Sequence, residues 1–288
     1  MNEYISLENL RSFISLASGD TSDDTELKKF IKDASRDIDK HCFRRFYPYR
    51  TASPLKYNIP CSNGELRVNE ELLEVKGLSD LNGSSAISND VYWLKNGDEW
   101  NSTPYDRIII DDSSGSQFNY SGTPQRAIHI DAIIGYHSDY SNAWCNSNAS
   151  LTANLSNNTG SLSLSGSSGD DSFGNSSRIQ TMNLIKIDEE FMYVKDGNGV
   201  SGLFVVRGIN GTSAVTHASG AIVYVWKPED DVVTSCKELS AYYYTKSKSP
   251  YTGRVANLSA GIIELPDNMP PSTSFRLNKL QRKRVYSI

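Results

Sequence analysis

A chain of 288 residues, 38% hydrophobic and with a mean hydropathy of −0.46, has room for two or three small cores but little apolar surplus. A formal net charge of −5 excludes a chain built as a whole to grip nucleic acid, and no apolar run approaches the ~18 residues that cross a bilayer. Cys42, Cys61, Cys145 and Cys236 are widely scattered, form no C-x-x-C pair and read as reduced thiols, and Met1-Asn2-Glu3-Tyr4 has neither the basic nor the apolar run of an export signal.

In chain order, the first predicted element is a short helix capped by Ser6, with Leu7, Leu10, Phe13, Ile14 and Ala17 on it, closing at Gly19. A stronger helix runs from Asp23 to Cys42. Leu27, Phe30, Ile31, Ala34, Ile38 and Cys42 recur every three or four residues and so share one stripe, opposite a face of lysines, arginines and aspartates. Asp23 or Asp24 suits its positive end, and it must stop before Pro48. The aromatic and basic run Phe43-Arg44-Arg45-Phe46-Tyr47 fits either a nucleic-acid contact or a helix end whose rings cap a core; the second is the simpler reading.

From Thr51 the hydrophobic period becomes two. Short runs at Leu66–Val68, Leu72–Val75, Val91–Leu94 and Arg107–Ile110 are separated by Asn-Gly turns, and Gln125–His137 is the clearest strand. Residues 141–178 are rich in Ser, Asn and Gly and read as two weak strands or a flexible passage. A compact β signal follows over Leu184–Asp188, Phe191–Val194, Leu203–Arg207 and Ala221–Trp226, with a hairpin turn at Asp196–Gly199. Pro228, followed by Glu229, Asp230 and Asp231, opens a returning helix with Val232, Val233, Cys236, Leu239 and Tyr243 on its stripe, ending near Ser249–Pro250.

The fold class expected from this order is α+β. A small helical domain is made by the N-terminal helices (1–50) and the returning helix (228–250). An antiparallel β domain (51–137) and a Ser/Asn-rich β module (138–227) are inserted into it. The tail, 251–288, is expected to be extended, with at most one short helix from Ser272 to Gln281.

No catalytic constellation stands out, so a non-enzymatic protein without metal or cofactor is expected. His129 and Asp131, with His137 and Asp139 nearby, form the best metal or acid–base candidate, but solvated side chains opposite an apolar strand face explain them more simply. Asp188-Glu189-Glu190 reads as a solvated turn. Sixteen tyrosines suit subunit interfaces and half-exposed strands equally. In the tail, Phe275, Leu277, Leu280, Val285 and Tyr286 alternate with Arg276, Lys279, Arg282, Lys283 and Arg284 and no acid. These ten residues are predicted to order on a partner.

Three stretches resemble the head–tail connector (adaptor) proteins of tailed bacteriophages. Asp24–Tyr47, closing on "RRFYP", resembles the family's N-terminal helix. Asp90–Ile110 with Gln125–Tyr136 resembles its strands, and Pro228–Pro250 its returning helix. Ile185–Trp226 looks like a β module of longer members; 141–178 and 251–270 have no counterpart. The resemblance implies a structural ring subunit of about twelve copies in the virion neck. Such a ring docks beneath the portal protein, extends the DNA channel, and presents a surface to a stopper or tail-tube protein. DNA would pass through the lumen without sequence-specific binding, and the portal or a neighbouring subunit would be the partner of the tail. The alternative from another class is a carbohydrate- or receptor-binding β module of a phage tail or adhesin.

Overall fold

The computed structural model describes residues 2–17, 20–61, 64–97, 99–100, 102–166, 169–170, 178–197, 202–248, 254–257, 261–264 and 269–282. The chain divides into two compact units: Met1–Arg44, Cys145–Arg207 and Ala214–Ile288 make the first, and Arg45–Trp144 with Gly208–Ser213 the second.

In the second unit an eight-stranded antiparallel sheet is organised around the sixteen-residue strand Glu65–Asp80. Its first half pairs with Tyr105–Ile110 (Leu66 opposite Ile108) and its second half with Ile128–Ile134 (Leu78 opposite Ile130). Register shifts between Arg67 and Leu72, and again between Leu72 and Gly77, break the strict alternation of the strand and let it change partners. Leu66, Leu72, Ile108, Ile128, Ile130 and Phe118 fill the core beneath it. Gly208–Ser213 joins this unit through Asn210, whose carbonyl accepts from the Arg50 N–H at 2.9 Å and whose side-chain amide donates to the Pro48 carbonyl at 3.1 Å. Gly211 has φ +80°, and a Cβ there would collide with the Arg50 carbonyl, so only glycine fits.

The first unit holds a seven-stranded sheet in the order Ser161–Leu162, Leu203–Val206, Glu190–Asp196, Leu184–Ile187, Ile222–Trp226, Trp144–Leu151, Leu164–Ser165. Its described residues also hold four α-helices: α1 (Leu7–Phe13), α2 (Asp24–Cys42), α3 (Asp230–Lys248) and α4 (Pro271–Lys279). Arg254–Asn257 and Gly261–Glu264 form a separate antiparallel pair. The stripes of α2 and α3 face each other, with Leu27, Ile31, Ala34, Ile38, Val232, Cys236 and Leu239 all at 0% exposure. Ser35 sits among them with its hydroxyl donating to the Ile31 carbonyl at 2.8 Å, so no polar atom of that side chain is left without a partner. Burial pushes the Cys42 thiol up to about 12 and Cys236 up to about 11, and all four cysteines are free.

The expected fold class is overturned. Of the described residues 33% are strand and 26% helical; they are mostly β, in two large antiparallel sheets and a separate pair, and do not form a helical domain carrying β insertions. The physical reason is that each short strand gives a weak signal, whereas two nineteen-residue amphipathic helices dominate a hydrophobic pattern. The one short helix allowed in the tail is present as Pro271–Lys279. The predicted Gly19 stop, the tip of the Asp196–Gly199 turn and the Ser249–Pro250 end lie outside the described residues.

Candidate interaction surface

Helix α4 starts at Pro271, where the missing N–H is no loss and the ring presets φ. One face buries Thr273 and Leu277. The Leu277 carbonyl lies 3.6 Å from Cys42 Sγ, the Gln281 side chain donates to the His41 carbonyl at 3.1 Å, and the Arg282 N–H donates to the Cys42 carbonyl at 2.9 Å. Asn278 Oδ1 lies 2.8 Å from His41 Nε2. From α3, the Glu238 carboxylate accepts from the Thr273 hydroxyl (2.6 Å), the Ser272 hydroxyl (3.3 Å) and both terminal nitrogens of Arg276 (3.0 and 3.2 Å). Burial alone would raise its pKa, but Arg276 and the two hydroxyls outweigh that and hold it below the usual carboxylate range.

The ten predicted partner-binding residues therefore have different surroundings. Arg276 and Leu277 are anchored on the chain's own helices, and Leu280 and Arg282 are half-buried there. Phe275 remains 67% exposed, with Lys279 Nζ 4.6 Å from its ring centroid, a cation–aromatic knob on the outer face of α4. Lys283, Arg284, Val285 and Tyr286 lie outside the described residues.

A groove of about 640 Å³ runs along α2 and α3, lined by Phe30, Asp33, Asp37 and Lys40 from one helix and Tyr243 and Lys246 from the other. Phe30 and Tyr243 meet with ring centroids 6.4 Å apart. The Tyr243 hydroxyl donates to Asp37 Oδ2 at 2.7 Å, and burial together with that carboxylate raises its pKa. Further along, the Tyr244 hydroxyl donates to Asp23 at 2.6 Å, and Lys248 reaches Asp23 at 3.1 Å and Glu26 at 3.4 Å. Tyrosine–carboxylate bonds thus close the exposed seam over the apolar stripe. Asp37 is also 3.5 Å from Lys40, and Arg36 pairs with Asp39 at 2.8 Å. Asp33 stands exposed with no ion pair among the described residues.

The acid–base candidates do not converge. Asp131 pairs with Arg50 at 3.0 Å. The His129 ring packs over the turn at Gly83, where a Cβ would collide with it. His137 Nδ1 accepts from the Asp139 N–H at 3.0 Å, while Asp139 binds Ser141 and Asn142, and it is those two side chains that lower its pKa. Among the described residues no group of three or more His, Cys, Asp or Glu could hold a metal ion.

The aromatic and basic run ends α2. Phe43 takes the left-handed conformation at the cap (φ 53°), and its N–H and that of Arg44 both donate to the Asp39 carbonyl. Phe46, fully buried, meets Tyr136 edge-on at 5.6 Å.

Glu190 corrects the sequence reading. It lies in no solvated turn: its side chain is 0% exposed and sits at the centre of a charged cluster. Arg207 donates from Nε (2.7 Å) and Nη2 (2.6 Å), the Val215 N–H donates at 3.0 Å, and His217 Nε2 lies 2.9 Å away. His217 Nδ1 lies 2.6 Å from Asp188, and Arg207 also donates to the carbonyls of Ser156, Thr159 and Val215. Burial alone would raise the Glu190 pKa; Arg207, Val215 and His217 outweigh it and keep it low. Both imidazole nitrogens and both Glu190 oxygens have partners within the cluster, which fastens the fold.

The chain matches no protein-family model, and no curated protein matches it in sequence.

Proposed function

We propose that this chain is a non-enzymatic ring subunit of a tailed-phage neck, an adaptor of about twelve copies. The ring docks beneath a portal, extends the DNA channel and offers the next tail component its attachment surface. The observation that carries this reading is the pairing of α2 with α3. The two stretches that resemble the family's N-terminal and returning helices, far apart in sequence, lie side by side, with the aromatic and basic stop at Phe43–Tyr47 directly after the first. The knob at Phe275 and the groove at Phe30 and Tyr243 add surface of the kind that proteins use to bind one another. An acidic chain also suits a conduit along which DNA slides without being held. No helix among the described residues is long and apolar enough to cross a membrane.

The test is native mass spectrometry of the full chain with the portal of the same phage. A ring that matches the portal in copy number supports the reading; a chain that never binds portal and is absent from purified virions overturns it.

One observation favours the second reading, a carbohydrate-binding β module. Trp93 and Trp100, 48% and 53% exposed, meet edge-on at 6.5 Å on the hairpin Tyr92–Asn96/Glu99–Trp100, with Lys95 4.7 Å over the Trp100 ring. Glycan binding that is lost in Trp93→Ala and Trp100→Ala would favour it.

A further inference from the structure

We propose that copies of this chain join head to tail through their helices: the Phe275–Lys279 knob of one copy enters the Phe30–Tyr243 groove of the next, and Lys279 faces Asp33. The inference rests on the ring reading only for the closing of the chain of contacts into a ring.

The knob is exposed for a reason that its own helix makes clear. Arg276 and Leu277, the two residues after Phe275, are fixed inward by Glu238 and by the end of α2, so the ring is held outward on a docked helix. A phenylalanine left 67% exposed on such a helix is the kind of aromatic anchor around which interfaces concentrate their affinity. The groove supplies the complement. It offers two aromatic rings, Phe30 and Tyr243, and at about 640 Å³ it has room for one aromatic side chain and the methylenes of a lysine.

Charge selects the partner. Asp37 is engaged by Tyr243 and Lys40, and Arg36 by Asp39 and the Asn2 carbonyl, which leaves Asp33 as the carboxylate of the groove free of an ion pair. On the knob, Arg276 is neutralised by Glu238 and Asp231, which leaves Lys279 as the cation of α4 without a carboxylate among the described residues. Among the described residues the groove thus offers the Asp33 carboxylate and the knob the Lys279 ammonium, charges of opposite sign, while Lys246 of the groove is turned to the Tyr242 hydroxyl at 3.0 Å. A two-fold dimer that used the contact reciprocally, each knob in the other copy's groove, would stop at two copies, and its mass would overturn the head-to-tail arrangement. Head to tail, knob into groove instead repeats in one direction, the heterologous contact that generates rings when its rotation closes and filaments when it does not.

The experiment is a charge swap in the full chain, read by light scattering and native mass spectrometry over a concentration series. Circular dichroism checks the fold, since both sites are exposed. Asp33→Lys and Lys279→Asp should each weaken self-association about tenfold, and Phe275→Ala more, whereas the double variant Asp33→Lys/Lys279→Asp should recover most of it. In a Cys61→Ser background, copies with Asp33→Cys should cross-link to copies with Lys279→Cys, and neither to itself. Single variants that associate like the parent, a double variant no better than the singles, or the absence of that cross-link at the highest soluble concentration overturns the contact. Rings that form on portal regardless of these changes overturn the contact and leave the adaptor reading standing. Association that depends on Asp33 and Lys279 in a chain that never binds portal does the reverse.

Discussion

The α2–α3 seam and the cluster around Glu190 are both shut off from water, by opposite means. Between the helices the buried side chains are mostly apolar at 0% exposure; Ser35 bonds to its own helix and lies 3.5 Å from Cys236 Sγ, and on α3 the buried Ser235 hydroxyl has no hydrogen-bond partner among the described residues. Around Glu190 the buried atoms are a carboxylate, a guanidinium and an imidazole, joined by bonds of 2.6 to 3.0 Å. An apolar seam degrades gradually, because each lost methylene removes its own share of transfer energy and packing. A buried charge cluster does not. Its members cancel one another's desolvation, and removing one strands the rest.

The sharpest way to break this comparison is Glu190→Ala, which leaves Arg207 and His217 buried without their carboxylate. It should destabilise by about 3–5 kcal/mol in chemical denaturation. The triple change Glu190→Leu, Arg207→Met and His217→Leu should cost less than that single one, although three carbonyls lose the donor Arg207 gave them. A triple variant less stable than Glu190→Ala would mean that the cluster is not cooperative.

Acid should find the same weakness. Because the folded pKa of Glu190 lies below its ordinary value of 4.5, its contribution is complete above that value and is lost as pH falls through the depressed one. Glu238 is depressed in the same direction and adds to the loss. Thermal melts from pH 6 downward should therefore fall less steeply for Glu190→Gln than for the parent; parallel curves would remove Glu190 from the account.

On the helical side the effects should be graded. Ile31→Val, one methylene removed from the seam, should cost about 0.5–1.5 kcal/mol. The smallest effect is expected at the end of α2. Phe43 is 60% exposed and held at φ 53°, so Phe43→Gly relieves the left-handed strain while giving up some unfolded-state restriction, for a net gain below about 1 kcal/mol. A loss there would show that the Phe43 ring makes a contribution its exposure hides.

How much of this was legible follows the same division. The stripes of α2 and α3 are visible in the sequence because eleven positions, six on the first and five on the second, repeat at the helical period. Glu190 is not, because its partners lie 17 and 27 residues away and a run of three acids looks the same whether solvated or clamped. Trp144–Leu151 hid for another reason: its inward residues are Cys145, Ser147, Ala149 and Leu151, so the alternation that marks a strand is carried by side chains too small to show it. Ser147 nonetheless reaches the Val223 carbonyl at 2.6 Å. Glu65–Asp80 read as two short runs because its register shifts reset the alternation midway. In the tail, the exposed Phe275 and Lys279 were among the predicted residues, but the docking of their helix was not foreseen. It depends on Glu238, a residue that in the sequence looks like any surface acid on α3.

The position of Glu190 has a kinetic consequence. Its carboxylate holds Arg207 and the Val215 N–H, the two sides of the excursion Gly208–Ser213, and so ties the loop off at its base. The excursion can then give up and remake its Asn210 bonds to Arg50 and Pro48 with its ends already near each other, while the strands Leu203–Val206 and Ile222–Trp226 keep their places in the sheet. In hydrogen exchange the amides of 208–213 should form a separate, faster class than those of the two strands, with the boundary between the classes drawn at one buried side chain.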